Sequence, residues 1–417
     1  MKQWIAALLI LTTVVALCGC SLNINLNLNN DADGSSASTG ITDPSGSTAL
    51  TNPAVNGKSY TVDAEKAMAM RNNVVATVPG AELTNGVLQI YYWTQVYEFL
   101  NDYGYYLSYV GLDLKKPLDQ QQSGFGGGTW QEYFLESALD AWSTNVAFEL
   151  AARQAGHTMN DEYRSILDNL PEEMQQSAVE GGYASIDAML QDSMGPGCVM
   201  EDYMVYMETY YMGYSYFEEL YAAIDPTMEQ IDAYFEENQS SLAQNGITKD
   251  SGYTVDIRHI LIRIEKLDSD TTENDGELID GYSQAAWDAC YAKAESILNQ
   301  WLSGEATEEA FAELAKLHSA DGNASEGGIY TGVEKDYMVE TFDAWCFDET
   351  RLGGDYGIVR TKYGYHIMYF ISKEDMWITA SRKQLITQEA NAIMDDILEQ
   401  YPMQTEMEKV ALGVVEL

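Results

Sequence analysis

Arg258-His259-Ile260-Leu261-Ile262 and Tyr363-Gly364-Tyr365-His366-Ile367-Met368-Tyr369-Phe370 are the two strings on which the reading of the fold turns. Each sets a histidine inside a short apolar run, and the chain holds only four histidines. In the first, Val255, Ile257, His259 and Leu261 alternate with Asp256, Arg258, Ile260 and Ile262, the period-two pattern of a strand. Between the two strings, FAELAKLHSADGNASEGG at 311–328 reads as the end of a helix followed by a turn on glycines. Two such strands side by side bring His259 and His366 together over a small cleft.

Working outward, residues 284–302 have a helical apolar side made by Ala286, Ala289, Ala292, Ile297 and Trp301, and Thr307 caps a second helix through 317. A short helix is expected over 338–347 and strands over 358–361 and 365–372. The order β-α-α-β-α-β-β over residues 252–374 predicts a small α/β domain, a four-stranded sheet covered by helices.

Residues 59–245 read as a mostly helical domain. Val74 to Val78 is a short strand, and Thr84 caps a helix carrying Leu88, Tyr92, Val96, Phe99 and Leu100. Thr129-Trp130-Gln131-Glu132 is a capping box opening a helix with Leu135, Leu139, Trp142, Val146 and Leu150 on one face. Asn160 starts a helix expected to end at 170, and further helices cover 186–192 and 200–223. The last is dense in Met and Tyr, which suits either core packing, the favoured reading, or an adaptable cradle for unfolded clients. Asp225-Pro226-Thr227 stops the chain and restarts it as a helix over 231–238. Residues 375–417 are expected to supply a C-terminal helix, with Ile386, Ala390, Ile393, Ile397 and Leu398, packing back on the N-terminal unit. The fold class is therefore α+β.

The N-terminus speaks to the compartment. Lys2 precedes an apolar run over 5–17, too short to span a bilayer and of the length of a secretory h-region. Leu17-Cys18-Gly19-Cys20 then resembles a bacterial lipobox, which implies that residues 1–19 are a signal peptide and that Cys20 carries a lipid. An ordinary signal peptide with chance cysteines is the alternative. Residues 20–58, rich in Ser, Asn, Gly, Thr and Asp, read as a flexible polar tether. The net charge of −43 argues against nucleic acid, which needs a basic footprint, and against anionic lipid headgroups, so membrane attachment falls to the lipid alone.

Three cysteines remain, Cys198, Cys290 and Cys346, an odd number that gives no disulfide framework and suggests buried thiols. GFGGG at 124–128 lacks the Lys-Ser/Thr of a phosphate loop. In the acidic stretch 266–281, Asp268 and Asp270 hint at a calcium loop, but Glu273 stands where its glycine belongs. No zinc spacing and no nucleophile motif accompanies the histidines, so neither metal nor cofactor is expected.

The blocks RHILI, FAELAKLHSADGNASEGG, MVETFDAWCF at 338–347 and TKYGYHIMYF at 361–370 resemble, in order and spacing, the parvulin-type peptidyl-prolyl isomerases. The resemblance covers residues 253–372. It implies that His259 and His366 are the paired histidines of the cleft floor, with Asp321 and Thr361 completing a catalytic network. It implies that Met338 and Phe342 receive the proline ring and that Tyr330, where the family usually has leucine, lies at the substrate. The family's GGDLGWF is here Gly327-Gly328-Ile329-Tyr330-Thr331-Gly332-Val333, so the pocket rim departs from the pattern. The whole plan, lipobox, tether, helical domain, parvulin unit and C-terminal helix, looks like the PrsA-type foldase lipoproteins of Gram-positive bacteria and is similar to SurA-type chaperones. That resemblance implies an extracytoplasmic foldase acting on X-Pro bonds of unfolded or partly folded secreted proteins, and it allows a homodimer. A non-enzymatic holdase with a degenerate parvulin domain is the alternative. A solute-binding lipoprotein ranks below both, because residues 60–245 show almost no strand pattern.

Overall fold

The structure is a computed structural model and describes residues 59–104, 106–125, 128–267 and 281–415. Residues 1–58, on which the signal-peptide, lipidated-Cys20 and tether expectations fall, and residues 268–280, on which the calcium-like spacing falls, lie outside the described residues. The chain is α+β and divides into two units, one of residues up to Asp225 and from Thr387 on, the other of Pro226–Ile386.

In the first unit β1 (Thr61–Val62), α1 (Ala64–Met70), β2 (Val74–Val78) and β3 (Ala81–Thr84) lead into α2 (Asn85–Tyr103). Helices α3 (Trp130–Ala155), α4 (Asp161–Glu180), α5 (Ile186–Met194) and α6 (Met200–Ala222) follow. The capping box forms as its residue types require: Thr129 N–H donates to Glu132 Oε2 at 2.6 Å, and Glu132 N–H donates to Thr129 Oγ1 at 3.2 Å. Helix α4 does not end at 170 but runs on through Pro171. Leu167, Leu170, Met174 and Ala178 keep a three-to-four spacing and are all buried, which outweighs the roughly 3 kcal/mol that an interior proline costs.

In α6, Tyr203, Tyr206, Met207, Tyr210 and Tyr211 are buried in the main core with Trp130, Phe134 and Tyr91. Core packing, not an open cradle, is what the Met/Tyr-rich stretch does at these positions.

The second unit holds α7 (Met228–Gln244), β4 (Tyr253–Arg263), α8 (Gln284–Ser303), α9 (Glu308–His318), β5 (Ile329–Val333), α10 (Glu340–Cys346), β6 (Tyr356–Thr361) and β7 (Gly364–Asp375). Its sheet has the order β5-β4-β7-β6, every neighbour antiparallel. Period-two alternation sorts the side chains. Ile260, Ile262, Ile264 and Ile367 pack under α8 and α9 through Ala286, Cys290, Ala294, Ile297, Phe311 and Leu314. Val255, Ile257, Met368 and Phe370 face the other way, against Phe342 and Cys346 of α10. His259 and His366, two residues on from Ile257 and two before Met368, belong to this second face.

Two expected boundaries differ. Helix α7, read from sequence with the N-terminal domain to residue 245, belongs to the second unit. Its Ile231, Phe235 and Leu242 pack on Trp377, with the Phe235 and Trp377 rings 5.1 Å apart and Lys249 Nζ over both.

The segment 375–417 is more than a helix, and its residues up to Ile386 belong to the second unit rather than the first. Helix α11 (Met376–Gln400) places Ile397 with Ala147 and Phe148. Then β8 (Gln404–Thr405) pairs antiparallel with β2, and β9 (Leu412–Gly413) pairs parallel with β1. Strands of two residues show no period, so a pattern reading passes over them. Among the described residues no helix is long and apolar enough to cross a membrane.

Candidate active site

The register of β4 on β7 sets the site. His259 lies opposite Met368 and Leu261 opposite His366, so the two histidines are diagonal neighbours on one face. Their Nδ1 atoms are 3.0 Å apart and the rings stack at 14°, centroids 5.2 Å apart. Both are buried. Thr361 ends β6 and sets its hydroxyl 2.8 Å from His366 Nε2, while Tyr363 N–H donates to the same oxygen at 3.2 Å. The β6–β7 turn needs glycine at 364: φ is +145° and a Cβ would stand 2.1 Å from the Ile262 carbonyl oxygen.

Asp321 arrives on the loop after α9, which is stitched to β4 beside His259. Ala320 N–H donates to the Leu261 carbonyl at 2.9 Å. Ser319 Oγ accepts from Leu261 N–H at 3.1 Å and from Asp321 N–H at 3.2 Å. One carboxylate oxygen of Asp321 then accepts from the Tyr330 hydroxyl at 3.0 Å and from Asn323 N–H at 3.4 Å. His259 Nε2 lies 3.6 Å from that oxygen, an ion-pair distance rather than a hydrogen bond. His259, first, and the Tyr330 and Asn323 donors hold the Asp321 carboxyl well below the ordinary carboxylate range, against the opposing effect of burial. Burial, with His259 beside it, pushes His366 down to about 4, so that ring is neutral at pH 7.

These positions order the protons. With Asp321 ionised, His259 Nε2 must carry a hydrogen, or two acceptors would face one another. With one proton on each ring, His259 Nδ1 then accepts, His366 Nδ1 donates to it, and His366 Nε2 accepts from the Thr361 hydroxyl. Every acceptor in the chain meets a donor, and Thr361 keeps a lone pair for Tyr363 N–H.

Beside this polar line stands an apolar wall. Phe342 meets His259 and His366 edge-on, centroids 5.3 and 5.2 Å away. Met338 and Tyr330, both half-buried, pack on the cluster that Phe342 and Val333 anchor. The Tyr330 ring lies tilted at 35° and 5.2 Å from His259. Seven of the eight site residues named from the sequence, His259, Asp321, Thr361, His366, Tyr330, Met338 and Phe342, are thus brought together, while the eighth, Cys20, lies outside the described residues.

The remaining histidines lie elsewhere. His157 is held by Glu219 and Ser215 in the first unit, and His318 is exposed at the end of α9. The three cysteines are free and buried. Cys346, in the cluster beneath Phe342, has its thiol pushed up to about 12 by burial and is no nucleophile at neutral pH. No group of three or more metal-ligating side chains occurs among the described residues.

Sequence reasoning passed over Ser319, Asn323 and Gly328. Ser-x-Asp is a local signal for the first, since a serine hydroxyl accepts readily from the N–H two residues on. Gly328 has φ +69°, and a Cβ there would lie 2.1 Å from the His259 carbonyl oxygen. That close approach is what allows the Gly328 carbonyl to accept from His259 N–H at 2.8 Å.

Residues 259–372 match the family described as Rotamase: PPIC-type PPIASE domain. No curated protein is significantly similar to the chain. Among solved structures it is similar to PrsA from Bacillus subtilis, at 18% identity over 66% of this chain and 88% of that one, TM-score 0.32. It is also similar to the peptidyl-prolyl isomerase Ess1 from Candida albicans, at 22% identity over 36% and 80%, TM-score 0.23. A third likeness is to the SurA-like chaperones PEB4 and Cj1289 of Campylobacter jejuni, at 17% identity over 62% and 89%, TM-score 0.22.

Proposed function

We propose, from the premise that residues 259–372 are a PPIC-type PPIase domain, that this chain is a foldase that isomerises X-Pro bonds in unfolded or partly folded proteins outside the cytoplasm. The observation that carries the reading is the buried line Asp321–His259–His366–Thr361 set against the edge of Phe342. The cleft has what amide rotation needs and little else. The barrier of about 18–20 kcal/mol comes from C–N double-bond character and calls for no nucleophile or metal. A catalyst need only bind the twisted amide better than either planar form.

Phe342 and Met338 offer an apolar seat for the proline ring, so one side of the bond is held while the other turns. The planar amide is the more polar form, and a dry wall disfavours it relative to the twisted one. The histidine pair, its protons ordered by Asp321 and Thr361, gives the floor a fixed polarity that needs no rearrangement during the turn. The same reading places the protein on the outer face of the cell membrane through a lipid on Cys20, which rests on the N-terminal sequence.

The test is a proline-containing tetrapeptide assay with the unlipidated chain starting after Cys20. Acceleration over buffer is expected, falling at least about tenfold in His366→Ala. A folded sample giving no acceleration ends the enzymatic reading. Suppression of client aggregation that survives His259→Ala and His366→Ala, in a chain without isomerase activity, would favour the holdase instead.

A further inference from the structure

We propose that Tyr330 is a positioning residue: its hydroxyl holds the Asp321 carboxylate where it keeps the hydrogen of His259 on Nε2, and thereby sets the direction of the whole Asp321–His259–His366–Thr361 chain. The kinetic part of this inference rests on the isomerase reading above; the structural part does not.

Asp321 is on a loop and its side chain is 22% exposed. A carboxylate so placed turns toward water unless something holds it. Its inward oxygen has three neighbours, and the Tyr330 hydroxyl at 3.0 Å is nearer than Asn323 N–H at 3.4 Å or His259 Nε2 at 3.6 Å. The His259 contact is too long to orient the carboxylate alone. Tyr330 is itself well placed to do so. It pairs with Ile257 in the β4–β5 register, which puts it on the face that carries His259, and its ring packs on the His259 ring. Burial and Asp321 push the phenol up to about 12, so it remains a donor through the neutral range.

Only an inward, ionised Asp321 distinguishes the two directions in which the histidine pair can run. Without it, the reverse arrangement is free to form: His259 donating from Nδ1, His366 accepting there and donating from Nε2 to Thr361. Removing the Tyr330 hydroxyl should therefore release the direction of a hydrogen-bond chain whose far end, at Thr361, it never touches.

The experiment uses the full chain with ¹⁵N in the histidine rings at pH 7, and Tyr330→Phe, which keeps the ring and removes only the oxygen. In the wild type, His366 should show a protonated Nδ1 and a bare Nε2. Tyr330→Phe should give a mixture of the two tautomers or the reversed one, and Asp321→Ala should do the same. His366 nitrogens that keep their wild-type states in Tyr330→Phe would overturn the proposal, whatever Asp321→Ala shows.

In parallel, kcat/KM should fall about tenfold in Tyr330→Phe with KM unchanged, the loss of a hydrogen bond to a charged group. Added to Asp321→Ala, Tyr330→Phe should change kcat/KM by no more than about twofold, because it acts through the carboxylate. Fully additive losses would also overturn it. A wild type without isomerase activity sinks the functional reading but leaves the ring-nitrogen measurement to decide this one. Should Tyr330→Phe fail to fold, Tyr330→Leu, which also lacks the hydroxyl, replaces it in the same spectra, with the same outcomes.

Discussion

An imidazole enclosed by a second imidazole, a threonine hydroxyl and a phenyl edge cannot take a proton cheaply, and His366 shows this. An unfolded histidine titrates near about 6.5, whereas burial and His259 hold His366 to about 4 in the fold. As pH falls from the higher value to the lower, the unfolded chain binds a proton that the folded chain refuses. Stability present above the unfolded value is thus lost across that window, by ~3 kcal/mol in total, and this group takes no more below it. Asp321, held below the carboxylate range, adds a loss at lower pH, as acid overcomes its preference for the anion. Urea midpoints at pH 7, 5.5 and 4 should fall for the wild type and fall less for His366→Asn; equal slopes would refute the assignment. Thr361→Val keeps the shape and removes the oxygen. It strands His366 Nε2 and Tyr363 N–H, and should cost about 1–3 kcal/mol, with Thr361→Ser restoring most of it. A valine variant as stable as the wild type would show that the hydroxyl holds nothing.

At the scale of elements, the site depends on how closely β5 approaches β4. Gly328 lets its carbonyl reach His259 N–H, at a φ and a clearance that no side chain tolerates. Gly328→Ala should therefore cost on the order of 2–4 kcal/mol and displace Tyr330, two residues on, from Asp321. The urea midpoint measures the first effect and the histidine ring nitrogens the second; a variant normal in both would mean the strand gives way freely. This approach also marks where sequence reading stops. Strands β4 and β7 were legible because His259 and His366 sit in runs that alternate with period two, and α3 because Thr129 and Glu132 form a local cap. Those signals are contained within a few residues. The bond from Tyr330 to Asp321 depends instead on a register that slips between Val255 and Ile257, and no pattern inside either segment encodes it. Helix α7 was legible as a helix, yet its partner Trp377 lies beyond the whole four-stranded sheet in sequence. Its apolar side was visible, but not the unit it covers.

At the scale of the molecule, the first unit is completed by the end of the chain. Ala411 and Leu412 are buried, and Asn85, in the first turn of α2, pairs both halves of its amide with Ala411: Nδ2–H donates to the carbonyl at 2.6 Å and Oδ1 accepts from the N–H at 2.8 Å. One turn on, Gln89 Oε1 accepts from Gly413 N–H at 2.9 Å, while its Nε2 donates to the carbonyls of Met194 and Pro196. A Cβ at 413 would meet Pro196 at 2.5 Å, so the segment threads a gap made for bare backbone. Two buried amides thus bind the terminal strand to α2 and to the turn after α5. Buried polar groups of this kind cost little while paired and about 1–3 kcal/mol each when stranded. Asn85→Ala removes one partner and leaves both backbone groups of Ala411 with no side chain to meet, and it should destabilise the first unit by at least that amount. Ending the chain at residue 403 should do more, because it strands Asn85 and the Gln89 Oε1 together and uncovers the site of Leu412. Hydrogen exchange provides the measurement, read at the amides of α2 beyond the first turn. In both variants those amides should exchange faster than in the wild type, and faster in the truncation than in Asn85→Ala. Unchanged protection in the truncated chain would mean that α2 is held by the Trp130–Phe134 core alone and that the returning strand is dispensable.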